Sequence, residues 1–142
     1  MSLKTLLPSL FLLTACAPDV TGNWQGSCWM TLEPAVYSDP GTDLGPHEWV
    51  LTMELEEDKD GLTGDFDFDS AFDGSSGNGD ITGTRGEIDL EMTLEYVLGN
   101  DRGRFELEVE DEEDALPGDI DWYNDKDNTL QASGDCDLEY RF

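Results

Sequence analysis

The chain has 142 residues and a strongly one-sided charge: 34 Asp and Glu against seven Lys and Arg, a formal charge of −27. Such a surface repels a phosphate backbone, which excludes nucleic acid as a partner, and it argues against an electrostatic grip on anionic lipid. The length suits one domain with a real core.

Lys4 gives a short positive start, and Leu6 to Leu13 is an apolar run broken only by Pro8 and Ser9. The run is too short to cross a bilayer as a helix, and small residues follow it, which is the layout of an export signal and not of a fold element. Its end, Leu13-Thr14-Ala15-Cys16, resembles the lipobox of bacterial lipoproteins. The resemblance implies that residues 1–15 are a signal peptide, that Cys16 is the acylated N-terminus, and that 16–20 is a lipid-anchored tether. The alternative is an ordinary secretory signal cut elsewhere. Removing 1–15 takes away Lys4 and no acid, so six basic residues face 34 acidic ones, a charge of −28. One acyl chain anchors weakly and several anchor stably; the lipoprotein family carries several. Ala17 follows the cysteine, which in that family is compatible with transport to the outer membrane.

Beyond Val20 the pattern has period two almost throughout, as in Asp65-Phe66-Asp67-Phe68-Asp69 and in Glu87-Ile88-Asp89-Leu90-Glu91-Met92-Thr93-Leu94-Glu95-Tyr96. This argues half-buried antiparallel strands, one face in a core and one in water. Eight strands are expected, near 22–33, 47–56, 62–69, 79–83, 87–97, 103–110, 117–123 and 129–142. Turn chemistry separates them, for example Asp58-Lys59-Asp60-Gly61 and Gly99-Asn100-Asp101. In the last strand Leu130, Ala132, Gly134, Cys136, Leu138 and Tyr140 share one parity. The expected fold is all-β, a single up-and-down meander over 21–142 that closes into a barrel, with a β-sandwich as the alternative.

An exported chain meets an oxidising compartment, so Cys28 and Cys136 are expected to form a disulfide, with two free buried thiols as the rival. If they face each other across antiparallel first and last strands, paired numbers sum to 164, and Trp24 meets Tyr140, Gly26 meets Leu138 and Leu32 meets Ala132. Both strand ends then nearly coincide, which places the first and last strands side by side. Both termini fall at one rim, and loops near 34–46, 70–78, 98–102 and 124–128 line the other, with Pro34 to Pro46 able to fold over the mouth.

Thr21-Gly22-Asn23-Trp24, a Gly-x-Trp opening the first strand, resembles the calycins, the lipocalins and avidins. That resemblance implies a barrel cup for small apolar molecules and a Trp closing one barrel end beside a basic residue, for which Arg141 is the candidate. The later lipocalin motifs and the avidin polar set have no counterpart. An outer-membrane barrel is excluded, because its inward polar face would bury the carboxylates.

Catalysis has little to work with: His47 is the one histidine, and no nucleophile elbow, His-Glu-x-x-His or Cys-x-x-Cys is present. Asp65-x-Asp67-x-Asp69 with Asp73 departs from an EF-hand loop at Ser70 and Ser76. Asp69, Asp73, Asn78 and Asp80 form an alternative oxygen-only set, suited to calcium, and Asn124, Asp125, Asp127 and Asn128 make a second acidic loop. Trp24, Trp29 and Tyr37 are the ligand or interface candidates, Trp29 because its parity turns it outward. The expected protein is a monomeric, lipid-anchored cell-envelope lipoprotein that works as a non-catalytic binding or scaffolding module for a small apolar ligand or an envelope protein. A calcium-binding acidic surface protein and a small carboxylate-based hydrolase are the alternatives.

Overall fold

The computed structural model describes residues 19–142; the signal segment, Cys16 and the start of the tether lie outside the described residues. Eight strands follow in chain order: β1 (Gly22–Leu32), β2 (His47–Asp58), β3 (Gly61–Ser70), β4 (Ser76–Arg85), β5 (Asp89–Leu98), β6 (Asp101–Glu110), β7 (Ala115–Asn124) and β8 (Thr129–Arg141). Each pairs antiparallel with the next, and β8 pairs with β1 to close the barrel. The β-sandwich is thereby set aside. Loops 33–46, 71–75, 99–100 and 125–128 lie at one rim, here called distal; 59–60, 86–88 and 111–114 lie at the proximal rim with Asp19.

The seam has the expected register: Trp24 faces Tyr140, Gly26 faces Leu138, Cys28 faces Cys136 and Leu32 faces Ala132. The two cysteines are buried, with Cα atoms 4.0 Å apart and sulfur atoms bonded across 108 residues of chain.

Alternation sends the carboxylates out and the apolar set in. Trp24, Trp49, Phe66, Phe68 and Phe105 are at most 3% exposed. A narrow barrel accommodates rings of this size because small residues stand beside them. Phe66 faces Gly79, Phe68 faces Gly77, and Tyr96 faces Gly103. At Gly79 a side chain would run into the backbone carbonyl of Glu95. The rings meet both edge-on or tilted and stacked: Phe66 meets Phe105 edge-on at 6.2 Å, Phe68 meets Tyr96 tilted at 4.9 Å, and Tyr96 stacks on Phe105 at 5.5 Å.

Four details differ from the sequence pattern. β4 is twice its expected length, since Gly77, Gly79 and Gly83 hide its alternation but pair through backbone as other residues do. β5 begins at Asp89, because Gly86 N–H donates to the Asp89 carbonyl and closes the turn there. Ile88, inward by parity, is therefore left outside at 78% exposure. In β8 the register slips at Trp122/Tyr123, so that Tyr123 faces Leu130 and Gln131 is the extra residue. The bulge buries Gln131 and moves Leu130 out of the core, breaking the single parity expected for the strand. Finally Val20, expected in the tether, is 1% exposed and packs in the core.

Replacing Cys28 and Cys136 together by Ala is expected to lower unfolding free energy by roughly 2–5 kcal/mol, because the bridge removes a long-loop entropy from the unfolded chain. Chemical denaturation of the two proteins checks this, and an unchanged midpoint would refute it. Gly79→Ala is expected to cost about 1–3 kcal/mol through forced strand displacement, read in the same assay.

Candidate functional site

Three surfaces offer themselves: the distal mouth, the proximal rim and the outer wall. At the mouth, loop 33–46 folds inward as the sequence suggests. Leu32 N–H donates to the Leu44 carbonyl, and the Tyr37 hydroxyl lies 3.2 Å from Gln131 Oε1, to which it donates. Phe72 completes the plug, its ring 5.5 Å from Tyr37 and 5.1 Å from His47. Trp122 Nε1 donates to the Tyr96 hydroxyl at 2.8 Å. Burial raises the phenol pKa of both Tyr37 and Tyr96, with the Asp73 charge adding to it. Tyr37 is thus half-buried structure at the mouth. His47, at the start of β2, has its Nε2 2.6 Å from the Asp43 carbonyl in the loop just before it.

At the proximal rim Trp24 is closed off from any ligand. It is 1% exposed, donates through Nε1 to the Val20 carbonyl at 2.9 Å, and packs edge-on against Tyr140. Arg141, its candidate basic partner, is exposed, because its parity turns it to the outer wall. The cation that ties this rim together is instead Arg85, the last residue of β4. Arg85 Nε donates to Glu57 at 2.6 Å and its Nη2 to Asp111 at 3.0 Å. Glu57 also accepts from Val20 N–H at 3.1 Å, and Glu57 N–H donates to Thr21 Oγ1. The Arg85 hydrogen bonds hold the Glu57 carboxyl below its ordinary range, and Thr21 does the same for Asp19. These contacts fasten the start of the described chain to three turns of the barrel. Nothing in the local sequence around Arg85 announced the clamp, since its partners come from distant turns.

The outer wall holds the carboxylates. The structure does not bring Asp69, Asp73, Asn78 and Asp80 together. Asp69 faces Ser76, whereas Asn78 faces Asp67 and Asp80 faces Asp65. Asp80 therefore lies roughly 13 Å along β4 from the residue that Asp69 meets. Asp73 is taken up by the Ser75 hydroxyl and N–H at 2.7 and 3.0 Å. Of the second acidic loop, Asp125 and Asn128 are held by Arg104, which stacks on Tyr123 at 4.3 Å.

Among the described residues, three carboxylates approach within 4.8 Å of one another only at Asp89, Glu91 and Glu108. Glu91 and Glu108 belong to a row that crosses four strands: Glu91 faces Glu108, Glu108 faces Asp119, and Asp119 faces Asp135. Like charges directly opposed on a sheet are unfavourable. A hydrogen bond shared with Asp89, together with the charge of Asp89, raises the pKa of Glu108. This row was derivable: the Gly99-Asn100 turn pairs residues whose numbers sum to 199, which sets Glu91 against Glu108. Shallow grooves of about 920 and 660 Å³ cross the wall, the first floored by this row and the second running beside Trp29. Trp29 faces outward as its parity predicts and is 50% exposed. The sequence matches no established protein-family profile and no curated protein.

The charge pattern sets a pH optimum. A carboxylate whose folded pKa is raised, as for Glu108, binds its proton more readily in the native state, so stability increases as pH falls through that value. Glu57 and Asp19, with lowered values, stabilise above the unfolded carboxylate range and lose that contribution as pH falls through their folded values. The melting temperature is expected to rise as pH falls from neutral toward the carboxylate range and to fall again at more acid pH. Glu108→Gln is expected to reduce that rise, as thermal scans at fixed ionic strength would show. A melting temperature that climbs steadily from pH 5 to 7 would contradict this.

Proposed function

We propose that the chain is a lipid-anchored cell-envelope lipoprotein whose barrel is a non-catalytic binding scaffold, and that its partner is an envelope protein engaged from outside. The observation that carries this reading is the filled interior. In a carrier, the rings lining the cup would be reachable by solvent, whereas Trp49, Phe66, Phe68 and Phe105 are 0–3% exposed and the mouth is plugged by Tyr37 and Phe72. A binding role then falls to the wall and rims.

The anchor reading rests on Leu13-Thr14-Ala15-Cys16, and the proximal clamp is consistent with it. Only Ala17 and Pro18 separate Cys16 from Asp19, a reach of roughly 10 Å at full extension. An acylated Cys16 would hold the proximal rim close to the bilayer and present the distal rim and upper wall to the compartment. Ala17 suits delivery to the outer membrane in a two-membrane cell.

Intact mass spectrometry of the full-length protein from membranes is the test. The expected species begins at Cys16, carries several acyl chains and is two hydrogens lighter than the reduced chain. Cys16→Ala is expected to abolish acylation and release the protein from the membrane fraction, and acylation surviving that change would refute the anchor. Native spectra with and without calcium extend the test. A co-purified apolar molecule would overturn the filled-barrel reading, and stoichiometric calcium would favour the cation-binding alternative.

A further inference from the structure

The scaffold reading leaves open which face binds, and the charge map singles out one. Every strand from β2 to β8 contains Asp or Glu, but β1, Gly-Asn-Trp-Gln-Gly-Ser-Cys-Trp-Met-Thr-Leu, contains no charged residue. Its outward positions are Asn23, Gln25, Ser27, Trp29 and Thr31, a neutral strip on a chain of charge −27. Trp29 stands in that strip half-exposed, an indole that forgoes burial in a molecule whose other three tryptophans, Trp24, Trp49 and Trp122, lie in or against the core. Val50 of β2 faces Ser27 and adds an apolar floor to the groove beside it.

Carboxylates border the strip on both sides. Trp29 lies directly between Glu48 of β2 and Asp135 of β8, and Ser27 faces Asp137. The Ser27 hydroxyl donates to the Glu48 carboxylate and so orients it along the strip. An aromatic centre with a charged border is the anatomy of a protein interface, and Trp is the residue type most often carrying binding energy there. The indole face and the flanking carboxylates favour the same partner charge, since both attract ammonium and guanidinium groups.

We propose that the β1 strip around Trp29 is the docking surface of the scaffold, and that its occupant is a basic polypeptide segment of another envelope protein, with an apolar residue set between Lys or Arg side chains. A second copy of the chain is disfavoured because it would bring Glu48 and Asp135 against equally acidic borders. A bilayer is disfavoured because Trp29 lies well along β1 from the proximal rim. This inference rests on the non-catalytic binding reading above.

The test uses the full-length protein in non-ionic detergent, labelled with 5-fluorotryptophan at its four tryptophans, the Trp29 resonance being the one missing from Trp29→Phe. The probes are three synthetic peptides: Lys-Lys-Leu-Lys-Lys, its Ser-centred analogue and its Glu counterpart. With the first, the Trp29 fluorine resonance is expected to shift and saturate while the other three stay in place. The Ser-centred peptide is expected to bind more weakly and the acidic one not at all. Trp29→Ser is expected to weaken binding at least about tenfold, and Glu48→Gln with Asp135→Asn to reduce both the affinity and its salt dependence. Binding that leaves the Trp29 resonance unmoved, or that is equal for both basic peptides and unchanged in Trp29→Ser, would reduce the effect to diffuse attraction and overturn the proposal. So would a Trp29 shift that follows protein concentration without peptide, or one produced only by vesicles of anionic lipid. Acyl mass on Cys16 is read from the same sample, so a missing anchor with intact peptide binding would sink the lipoprotein reading and leave the docking surface standing.

Discussion

Closure of the barrel between β1 and β8 is the constraint on which the rest of the molecule depends. An open eight-stranded sheet would leave two unpaired edges exposed, a row of free donors and acceptors at each. The seam abolishes both, and it is fastened covalently by Cys28 and Cys136 near the middle of the pairing. Closure also decides direction. With the first and last strands adjacent and the number of strands even, the start and end of the barrel share one rim, and the four loops of the other rim share a face. The proximal clamp and the distal plug are consequences of this sorting.

Filling the barrel with rings has an electrostatic consequence. Once Trp49, Phe66, Phe68 and Phe105 take the interior, the wet parity of nearly every strand is left for acids, and adjacent strands cannot avoid setting them opposite one another. Glu91, Glu108, Asp119 and Asp135 form such a row. Among the described residues no ion pair reaches this row. Arg85 and Arg104 are spent near opposite rims, Arg85 on Glu57 and Asp111 from two other parts of the chain, Arg104 on Glu106 of its own strand and Asp125 of the turn after β7. Partly buried multidentate pairs of this kind hold geometry better than isolated surface pairs would. Charge thus fixes the ends of the barrel, while its wall tolerates repulsion that burial and the disulfide must outweigh.

Alternation made the fold class and the seam legible, because period two is a direct record of which face is buried and because two cysteines on the apolar parity set the register. It failed where residues carry no hydropathy signal or where backbone geometry overrides it. Gly77, Gly79 and Gly83 concealed most of β4, the bulge at Gln131 exchanged a Leu for a Gln in the interior, and a turn hydrogen bond to Asp89 stranded Ile88 in water. The site residues divide the same way. Trp29 could be placed from parity alone. The convergence of Asp69, Asp73, Asn78 and Asp80 could not, since it assumed a long flexible loop where β4 already begins at Ser76. The Arg85 clamp needs three turns to meet in space, which no local pattern encodes.

The seam strand is also the strand without charge, and the two facts have a common logic. β1 must pair with β8 across the largest sequence separation in the sheet, so its docking occurs against the greatest loop-closure entropy. Carboxylates on β1 would have faced Asp135, Asp137 and Glu139 on β8 and Glu48 and Glu54 on β2, adding repulsion at the step least able to bear it. Neutral Asn23, Gln25, Ser27 and Thr31 avoid that cost. Trp29 is different, because closure asks only for absence of charge at its position, and any small polar residue would meet that requirement. A large apolar ring held half in water contributes little to the seam that Ser or Thr would not, and that surplus is the ground on which Trp29 is proposed as a docking residue.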